Sequence, residues 1–201
     1  MSEKITKLHF QNTTNMEIKG TAIKTTRDFV KTNFPAKYDE WINALPEKTK
    51  AIYSSAMINM AGWYPMKEHY QIPIEKIIEM FYGGNTKVAG EAIGRFSADL
   101  ALTGIYKLFL MIATPKYLMT RASVVFSTYY LPCEVKVSES SSKSVSMQVT
   151  KFPDMSAAIE YRIAGWCVRA LELCGCKNVQ YKTIKSLLKG DGYTEIVYSW
   201  N

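Results

Sequence analysis

The sequence predicts an α+β fold, with a helical N-terminal two thirds packed on a C-terminal ββαββ antiparallel sheet unit. Up to about residue 131, apolar residues recur at helical spacing between proline and glycine breaks. After Pro132 the apolar period falls from 3.6 residues to 2, which is the period of a strand. We expect residues 1–201 to form a single domain, with its helical part over about 20–131 and its ββαββ part over about 133–201.

Three helices are predicted at the N-terminal end of the helical part. Thr25 or Thr26 is the candidate N-cap of the first helix, and Pro35 closes it. A short helix around Trp41 follows. A third helix is expected over residues 47–60, because a proline stands immediately before it.

Two longer helices are predicted next. Pro73 opens one of them, and the glycines at 83 and 84 end it. The other runs over residues 85–104, and its inward face is expected to carry the apolar residues at steps of four, namely Val88, Ala92, Phe96 and Leu100. Residues 105–113 continue almost wholly apolar, so we expect a central helix there.

The last helix of this part begins at Thr114-Pro115 and ends before Pro132. Beyond it, alternation on both sides of residues 138–142 predicts a hairpin. A helix whose apolar stripe includes Trp166 then runs to Gly175, and a second hairpin turns at residues 189–192. Both Trp166 and Trp200, at the end of the final strand, are expected to be largely buried.

Composition excludes several classes of function. The net charge is +7, but the 25 basic residues are scattered among 18 acidic ones, so no nucleic-acid partner is expected. The longest apolar stretch falls far short of the roughly 20 residues of a transmembrane helix. With no export signal in the sequence, we expect a cytoplasmic protein whose four cysteines are reduced thiols.

The sequence predicts neither catalytic residues nor metal ligands. Its two histidines are His9 and His69, so a catalytic triad has few candidates, and His69 is expected to be solvated or to cap a helix. Cys174 and Cys176 stand one residue apart, closer than the cysteines of a zinc clamp. We interpret them as small hydrophobic residues at a helix end.

Aromatic residues make up 12% of the chain and indicate a ligand cavity with apolar walls. The predicted ligand-binding residues are Trp63, Arg95, Phe96, Tyr106, Phe109 and Trp166. Arg95 and Asp99 are spaced as an ion pair on one helix, but Arg95 could instead be buried and meet an acidic ligand. Glycines between the rings are expected to leave voids for a ligand, namely Gly90, Gly94, Gly104 and Gly165.

Five stretches of the sequence carry a family resemblance: IKGTA at 18–22, GRFSA at 94–98, GIYKLF at 104–109, AGW at 164–166 and residues 190–200. They are similar to those of a bacterial paralogous family known chiefly from myxobacteria. That family in turn resembles the haem-NO-binding and 4-vinyl-reductase-like ligand-binding domains, a superfamily that includes small subunits of a Golgi tethering complex.

The resemblance implies a helical part packed on a small antiparallel sheet. It also implies an apolar cavity between them, which takes haem, aromatic effectors or acyl chains in different branches. Haem-NO-binding domains use a proximal histidine in their later helical region. Residues 71–201 contain no histidine, so the cofactor is unknown and haem is not expected.

The leading functional hypothesis is a small-molecule or lipid binding or sensory module, without catalysis, whose ligand is hydrophobic or aromatic. One alternative is a protein-interaction adaptor or homodimer, paired through a helical face or through Val145, Met147 and Val149. The other is a reductase-like enzyme in the same cavity, with an acid, base or nucleophile among Tyr106, Arg95, Asp99 and Cys167.

Overall fold

The computed structural model describes residues 15–102 and 113–201. The helices of these ranges are α1 (Gly20–Asn33), α2 (Tyr38–Asn43), α3 (Glu47–Ser54), α4 (Ile72–Tyr82), α5 (Thr86–Leu102), α6 (Pro115–Tyr129) and α7 (Ala157–Leu173). The strands are β1 (Glu17–Lys19), β2 (Trp63–Pro65), β3 (Tyr130–Leu131), β4 (Glu134–Ser140), β5 (Ser144–Lys151), β6 (Gln180–Lys185) and β7 (Thr194–Ser199). The α+β prediction is confirmed, and in the described ranges no helix has both the length and the apolarity needed to span a bilayer.

The C-terminal part is the predicted ββαββ unit. Its four strands form an antiparallel sheet in the order β4-β5-β7-β6, so the two hairpins meet at β5 and β7. Alternate side chains of these two strands point into the core, and Val145, Met147 and Val149 are at most 1% exposed. A homodimer paired through these three residues is therefore wrong, because the monomer's own core covers them.

A second, smaller sheet joins distant parts of the helical region. Its order is β2-β1-β3, with Ile18 opposite Tyr64 on one side and opposite Tyr130 on the other. The sequence did not predict it, because strands of two or three residues are too short to show a period. This sheet fixes the point at which α6 ends and β3 begins with Tyr130.

Two predicted helix boundaries are wrong. Helix α1 begins at Gly20, and the hydroxyls of Thr25 and Thr26 donate to carbonyl oxygens four residues earlier instead of capping. Helix α3 ends at Ser54 and not at residue 60. Ser55 is extended, and its carbonyl oxygen accepts a hydrogen bond from Arg27 Nη1 at 2.7 Å as the chain turns towards β2.

Helix α4 follows its sequence signals. Pro73 lies in its first turn, where a missing N–H costs no hydrogen bond. The helix ends at Tyr82, and the capping residue Gly83 has a φ of +56°, the left-handed conformation that favours glycine.

Helix α5 buries a different face from the predicted one. Val88 is 48% exposed and Leu100 is 50% exposed, so the stripe at steps of four faces outward at both ends. The buried face is made of Ala89, Gly90, Ile93, Gly94, Ser97 and Ala98. Small residues give a weak hydrophobic period, and for this reason the sequence predicted the wrong buried face for α5. The central helix expected over residues 105–113 falls, up to residue 112, outside the described residues.

The small face of α5 lies directly against α7. A Cβ atom on Gly94 would stand 2.1 Å from the Arg162 carbonyl oxygen, and one on Gly165 would stand 2.5 Å from the Glu91 carbonyl oxygen. These glycines bring two helix backbones into contact. For Gly94 and Gly165 the expectation of voids is wrong, since the other helix fills the space, and Gly104 lies outside the described residues. The contact also fixes the position of the α7 segment that carries Arg162 and Trp166.

The two tryptophans of the C-terminal unit lie as the sequence indicates. Trp166 is 6% exposed, and Trp200 is partly buried and packs against the core.

Candidate ligand-binding cavity

A cavity of about 370 Å³ lies where α1, α5, α6 and α7 meet the start of β3. Its described lining consists of Thr21, Lys24, Thr25, Asp28, Met60, Ser97, Leu100, Ala101, Val125, Phe126, Tyr129, Tyr130, Arg162 and Trp166. Pockets for small molecules usually measure roughly 300–1,000 Å³. The cavity is therefore large enough for a small organic ligand.

Aromatic side chains make the apolar wall of the cavity. The Phe126 and Trp166 rings meet edge to face, with their centroids 5.3 Å apart. Tyr130 continues the wall, and its ring centroid lies 6.5 Å from that of Phe126. All three side chains are buried, so the wall is held by core packing.

Arg162 is the polar centre of the cavity. It comes from the middle of α7 and is only 4% exposed. Its Nη1 donates to the Tyr130 hydroxyl at 2.7 Å, and its Nη2 donates to the Ser97 hydroxyl at 2.9 Å. The guanidinium also lies over the Tyr70 ring, 5.2 Å from the centroid.

The partners of Arg162 do not neutralise its charge. None of the described carboxylates forms an ion pair with it, and its buried Nε–H has no hydrogen-bond partner among the described residues. Burial raises the pKa of Tyr70 well above 10 and also raises the pKa of Tyr129, so both phenols are neutral at physiological pH. A buried charge without a counter-ion costs several kcal/mol, which makes this arginine unusual for a purely structural residue.

Two further charged residues of the lining compensate each other. Lys24 and Asp28 stand one turn apart on α1, and the Lys24 Nζ atom lies 2.5 Å from Asp28 Oδ2. Arg27 Nε approaches the other oxygen of Asp28 at 3.9 Å. Asp28 is thus already paired, whereas Arg162 is not.

Of the six predicted ligand-binding residues, one lies in the described lining of the cavity, three lie elsewhere and two fall outside the described residues. Trp166 lines the cavity. Phe96 packs edge-on against Phe29 with centroids 5.4 Å apart, and Trp63 lies in β2 under the Lys19 ammonium. Neither of them belongs to the described lining of the cavity. Tyr106 and Phe109 lie outside the described residues.

Arg95 and Asp99 do not pair with each other. Arg95 donates to Glu172 at 2.6 Å in a separate groove, and Asp99 accepts from Arg169 at 2.8 Å. With its side chain 40% exposed, Arg95 is not the buried arginine considered from the sequence. Both residues pair across to α7 because α5 turns its small face towards that helix.

Arg162, and not Arg95, is the buried arginine of the cavity. One signal could have revealed it, because Arg162 stands four residues after Ala158 and four before Trp166. It therefore interrupts a stripe of buried residues on α7. Ser97 and Tyr130 gave no such signal, since their contact with Arg162 depends on the tertiary fold.

His69 is buried, and the expected solvated or capping role is wrong. It lies on a single π-helical turn before α4, with its Nδ1 3.1 Å from the Thr49 hydroxyl and its Nε2 3.7 Å from Glu68 Oε2. Burial lowers the pKa of this imidazole. The turn that carries it packs against β2, and none of its residues belongs to the described lining of the cavity.

The cysteines are unpaired thiols in the structure. Burial raises the pKa of both Cys133 and Cys167 to about 12, so neither is an activated nucleophile. Among the described residues, no three histidine, cysteine or acidic side chains come together as a metal site.

Solved structures of H-NOX (haem-NO-binding) proteins resemble this fold over nearly the whole chain. The S. oneidensis protein in its Fe(II)NO ligation state has a TM-score of 0.69 at 10% identity, covering 92% of this chain and 99% of that one. The Fe(II) unliganded protein from K. algicida has a TM-score of 0.62 at 15% identity, covering 92% and 97%. A mutant of the T. tengcongensis protein has a TM-score of 0.57 at 12% identity, covering 92% and 98%.

These likenesses define the class of fold: the chain has the H-NOX fold. No protein-family model matches the sequence, and no curated protein matches it either. At such low identity the likeness concerns the fold alone, and the ligand has to be argued from the residues of the cavity.

The described lining of the cavity does not fit a haem held by histidine. His69 is the one histidine of the described ranges, and it lies outside that lining. Residues 71–201, which include α5, α6 and α7 of the cavity, have no histidine in their sequence. We therefore derive no chemistry through a haem iron.

Proposed function

We propose that the chain is a small-molecule binding or sensory module that holds a hydrophobic or aromatic ligand in the cavity beside α7. One observation carries the proposal: a cavity of about 370 Å³ joins a buried aromatic wall to a buried arginine. An apolar wall with a few polar groups is the usual composition of a ligand site. Such a module can carry its ligand to another protein. It can also signal through a partner, when the ligand favours one of two conformations of the module.

The described residues give less support to a reductase-like enzyme. Cys167 is fully buried with a raised pKa, and Arg95 and Asp99 are engaged with residues of α7 away from the cavity. The lining groups a guanidinium with phenol and serine hydroxyls, an arrangement that binds an anion and does not activate a nucleophile.

An adaptor role through the sheet edges has little support as well. The edge strand β6 carries Lys182 and Lys185, and the other edge strand β4 carries Glu134 and Lys136. Charged side chains on edge strands disfavour pairing with another chain. The binding module therefore remains the function that we propose.

Three further parts of the proposal rest on the sequence features described above. We place the protein in the cytoplasm, we regard residues 1–201 as one ligand-binding domain, and we relate it to the myxobacterial and 4-vinyl-reductase-like proteins.

Native mass spectrometry of protein purified from its own host tests the proposed function. We expect a mass excess that corresponds to a bound small molecule and disappears on denaturation. Ala101→Phe fills the cavity and should reduce the bound fraction, whereas Ala36→Phe, at an exposed turn, is the control and should not. A protein that stays empty from its host and after incubation with extracts of that host would refute the proposal.

A further inference from the structure

We propose that the ligand of the cavity is a carboxylate with an apolar body, and that the Arg162 guanidinium binds the carboxylate. This inference rests on the proposed function, because it names the chemical class of the ligand that the cavity takes. It is carried by the hydrogen bonds, the charge and the surroundings of Arg162.

The described hydrogen bonds of Arg162 do not use all of its N–H donors. A guanidinium has five N–H donors, and the two terminal nitrogens each donate to one hydroxyl, those of Tyr130 and Ser97. The Nε–H is buried and has no partner among the described residues. The described partners thus take two of the five donors, and a guanidinium binds carboxylates strongly through its N–H groups.

The charge of Arg162 selects an anion over a neutral ligand. Its described partners are hydroxyls and the Tyr70 ring, and none of them carries a formal negative charge. A carboxylate in the cavity would provide the missing counter-ion for a guanidinium that is 4% exposed. A phosphate dianion is matched less well, because the other basic residue of the described lining, Lys24, is already paired with Asp28.

The hydroxyl partners hold the guanidinium in place. Ser97 donates its own hydroxyl proton to the Ile93 carbonyl oxygen at 2.8 Å, so its lone pairs are left to accept from Arg162. The Tyr130 hydroxyl lies 3.4 Å from the Tyr70 hydroxyl on its other side. Ser97 and Tyr130 are thus positioning residues, and they fix the cation before a ligand arrives.

The aromatic and aliphatic part of the lining fits the body of the ligand. Phe126 and Trp166 form the buried wall, and Val125 and Ala101 add aliphatic surface. A carboxylate with a short acyl chain or a single aromatic ring meets both requirements, since its head reaches Arg162 while its body is removed from water.

Matched pairs of acid and alcohol test this inference. Decanoate is compared with decan-1-ol, and 3-phenylpropanoate with 3-phenylpropan-1-ol, by isothermal titration calorimetry at neutral pH. In the wild-type protein we expect at least one of the two acids to bind about tenfold or more tightly than its alcohol, as hydrogen bonds to a charged group require. In Arg162→Gln this ratio should fall to near one. Arg95→Gln, which removes an arginine paired with Glu172 outside the cavity, is the matched control and should keep the wild-type ratio.

The outcomes separate this inference from the proposed function. Acids and alcohols that bind wild type equally well would overturn the carboxylate inference and leave the binding function standing. Acid preference that persists in a folded Arg162→Gln would also overturn it, because another group would then bind the anion. Absence of binding by all four compounds would overturn the carboxylate inference, and the native mass spectrometry described above would then decide the proposed function. Should Arg162→Gln fail to fold, the wild-type ratio still decides, and Arg162→Lys, which keeps the charge without an Nε–H, should lower that ratio.

Discussion

Substituting Gly94 by alanine should destabilise the protein, because the contact between α5 and α7 leaves no room for a methyl group. A Cβ at position 94 would lie 2.1 Å from the Arg162 carbonyl oxygen and 2.8 Å from the Trp166 amide nitrogen. Both neighbours are backbone atoms, so no side chain can rotate away. The two helices would have to separate, and the cavity residues of α7 would move with them.

Two opposing effects set the size of this destabilisation. Alanine is favoured over glycine inside a helix by about 1 kcal/mol. Overpacking a tight contact costs about 1–3 kcal/mol and occasionally more. The overlap with a carbonyl oxygen puts Gly94→Ala at or beyond the upper end of that range, so we expect a net loss of about 2 kcal/mol in the free energy of unfolding. For a chain of this size the melting temperature should fall by roughly 4–8 °C.

Urea unfolding followed by far-ultraviolet circular dichroism measures this free energy. Gly192→Ala is the control, since a Cβ there meets no atom within 4 Å and the residue has no positive φ. We expect it to stay within about 0.5 kcal/mol of wild type. A Gly94→Ala protein that unfolds at the wild-type urea concentration or above it would refute the backbone contact between the two helices.

Three further predictions concern ionisable groups. Without ligand, Arg162→Met should unfold at a urea concentration equal to or above that of wild type, because it removes a buried charge that lacks a counter-ion; a clearly lower midpoint would contradict this. Hydrogen bonds, first of all from Gln148, lower the pKa of Glu195 below its usual 4.5, so they stabilise the fold above that pH and cease to do so as the pH falls through the lower folded pKa. The difference in urea midpoint between wild type and Glu195→Gln should therefore shrink on acidification, and a constant difference would count against these bonds. Cys133 and Cys167, with pKa values of about 12, should react with iodoacetamide at mildly alkaline pH only after unfolding, and labelling of the native protein at the unfolded rate would show that they are accessible.

The ββαββ unit could be predicted because each of its elements is long enough to show its own period. Strand β5 alternates over eight residues, and α7 carries an apolar stripe over 17. Proline and glycine gave the ends of α4 in the same way, through local backbone preferences at Pro73 and Gly83. These signals are local, and for that reason the sequence contains them.

The cavity could be predicted only in part, because its polar centre depends on contacts between distant segments. Ser97, Tyr130 and Arg162 are up to 65 residues apart and meet only after α5, β3 and α7 have packed. Trp166 could be expected at a cavity because aromatic residues on a buried stripe stand out in a sequence, and it belongs to the described lining. Arg162 was missed, since an arginine on a helix usually lies in solvent and only its place between buried neighbours marks it as different.

Nitrogen-15 NMR of the arginine Nε–H groups tests most directly the claim that the cavity binds a carboxylate at Arg162. The Arg162 resonance is assigned as the one that disappears in Arg162→Gln, and the Arg95 resonance is assigned through Arg95→Gln. The account predicts that added decanoate shifts the Arg162 Nε–H resonance to saturation, that decan-1-ol shifts it far less, and that the Arg95 resonance stays in place with both compounds. Saturable binding of decanoate that leaves the Arg162 Nε–H resonance unmoved would contradict the account.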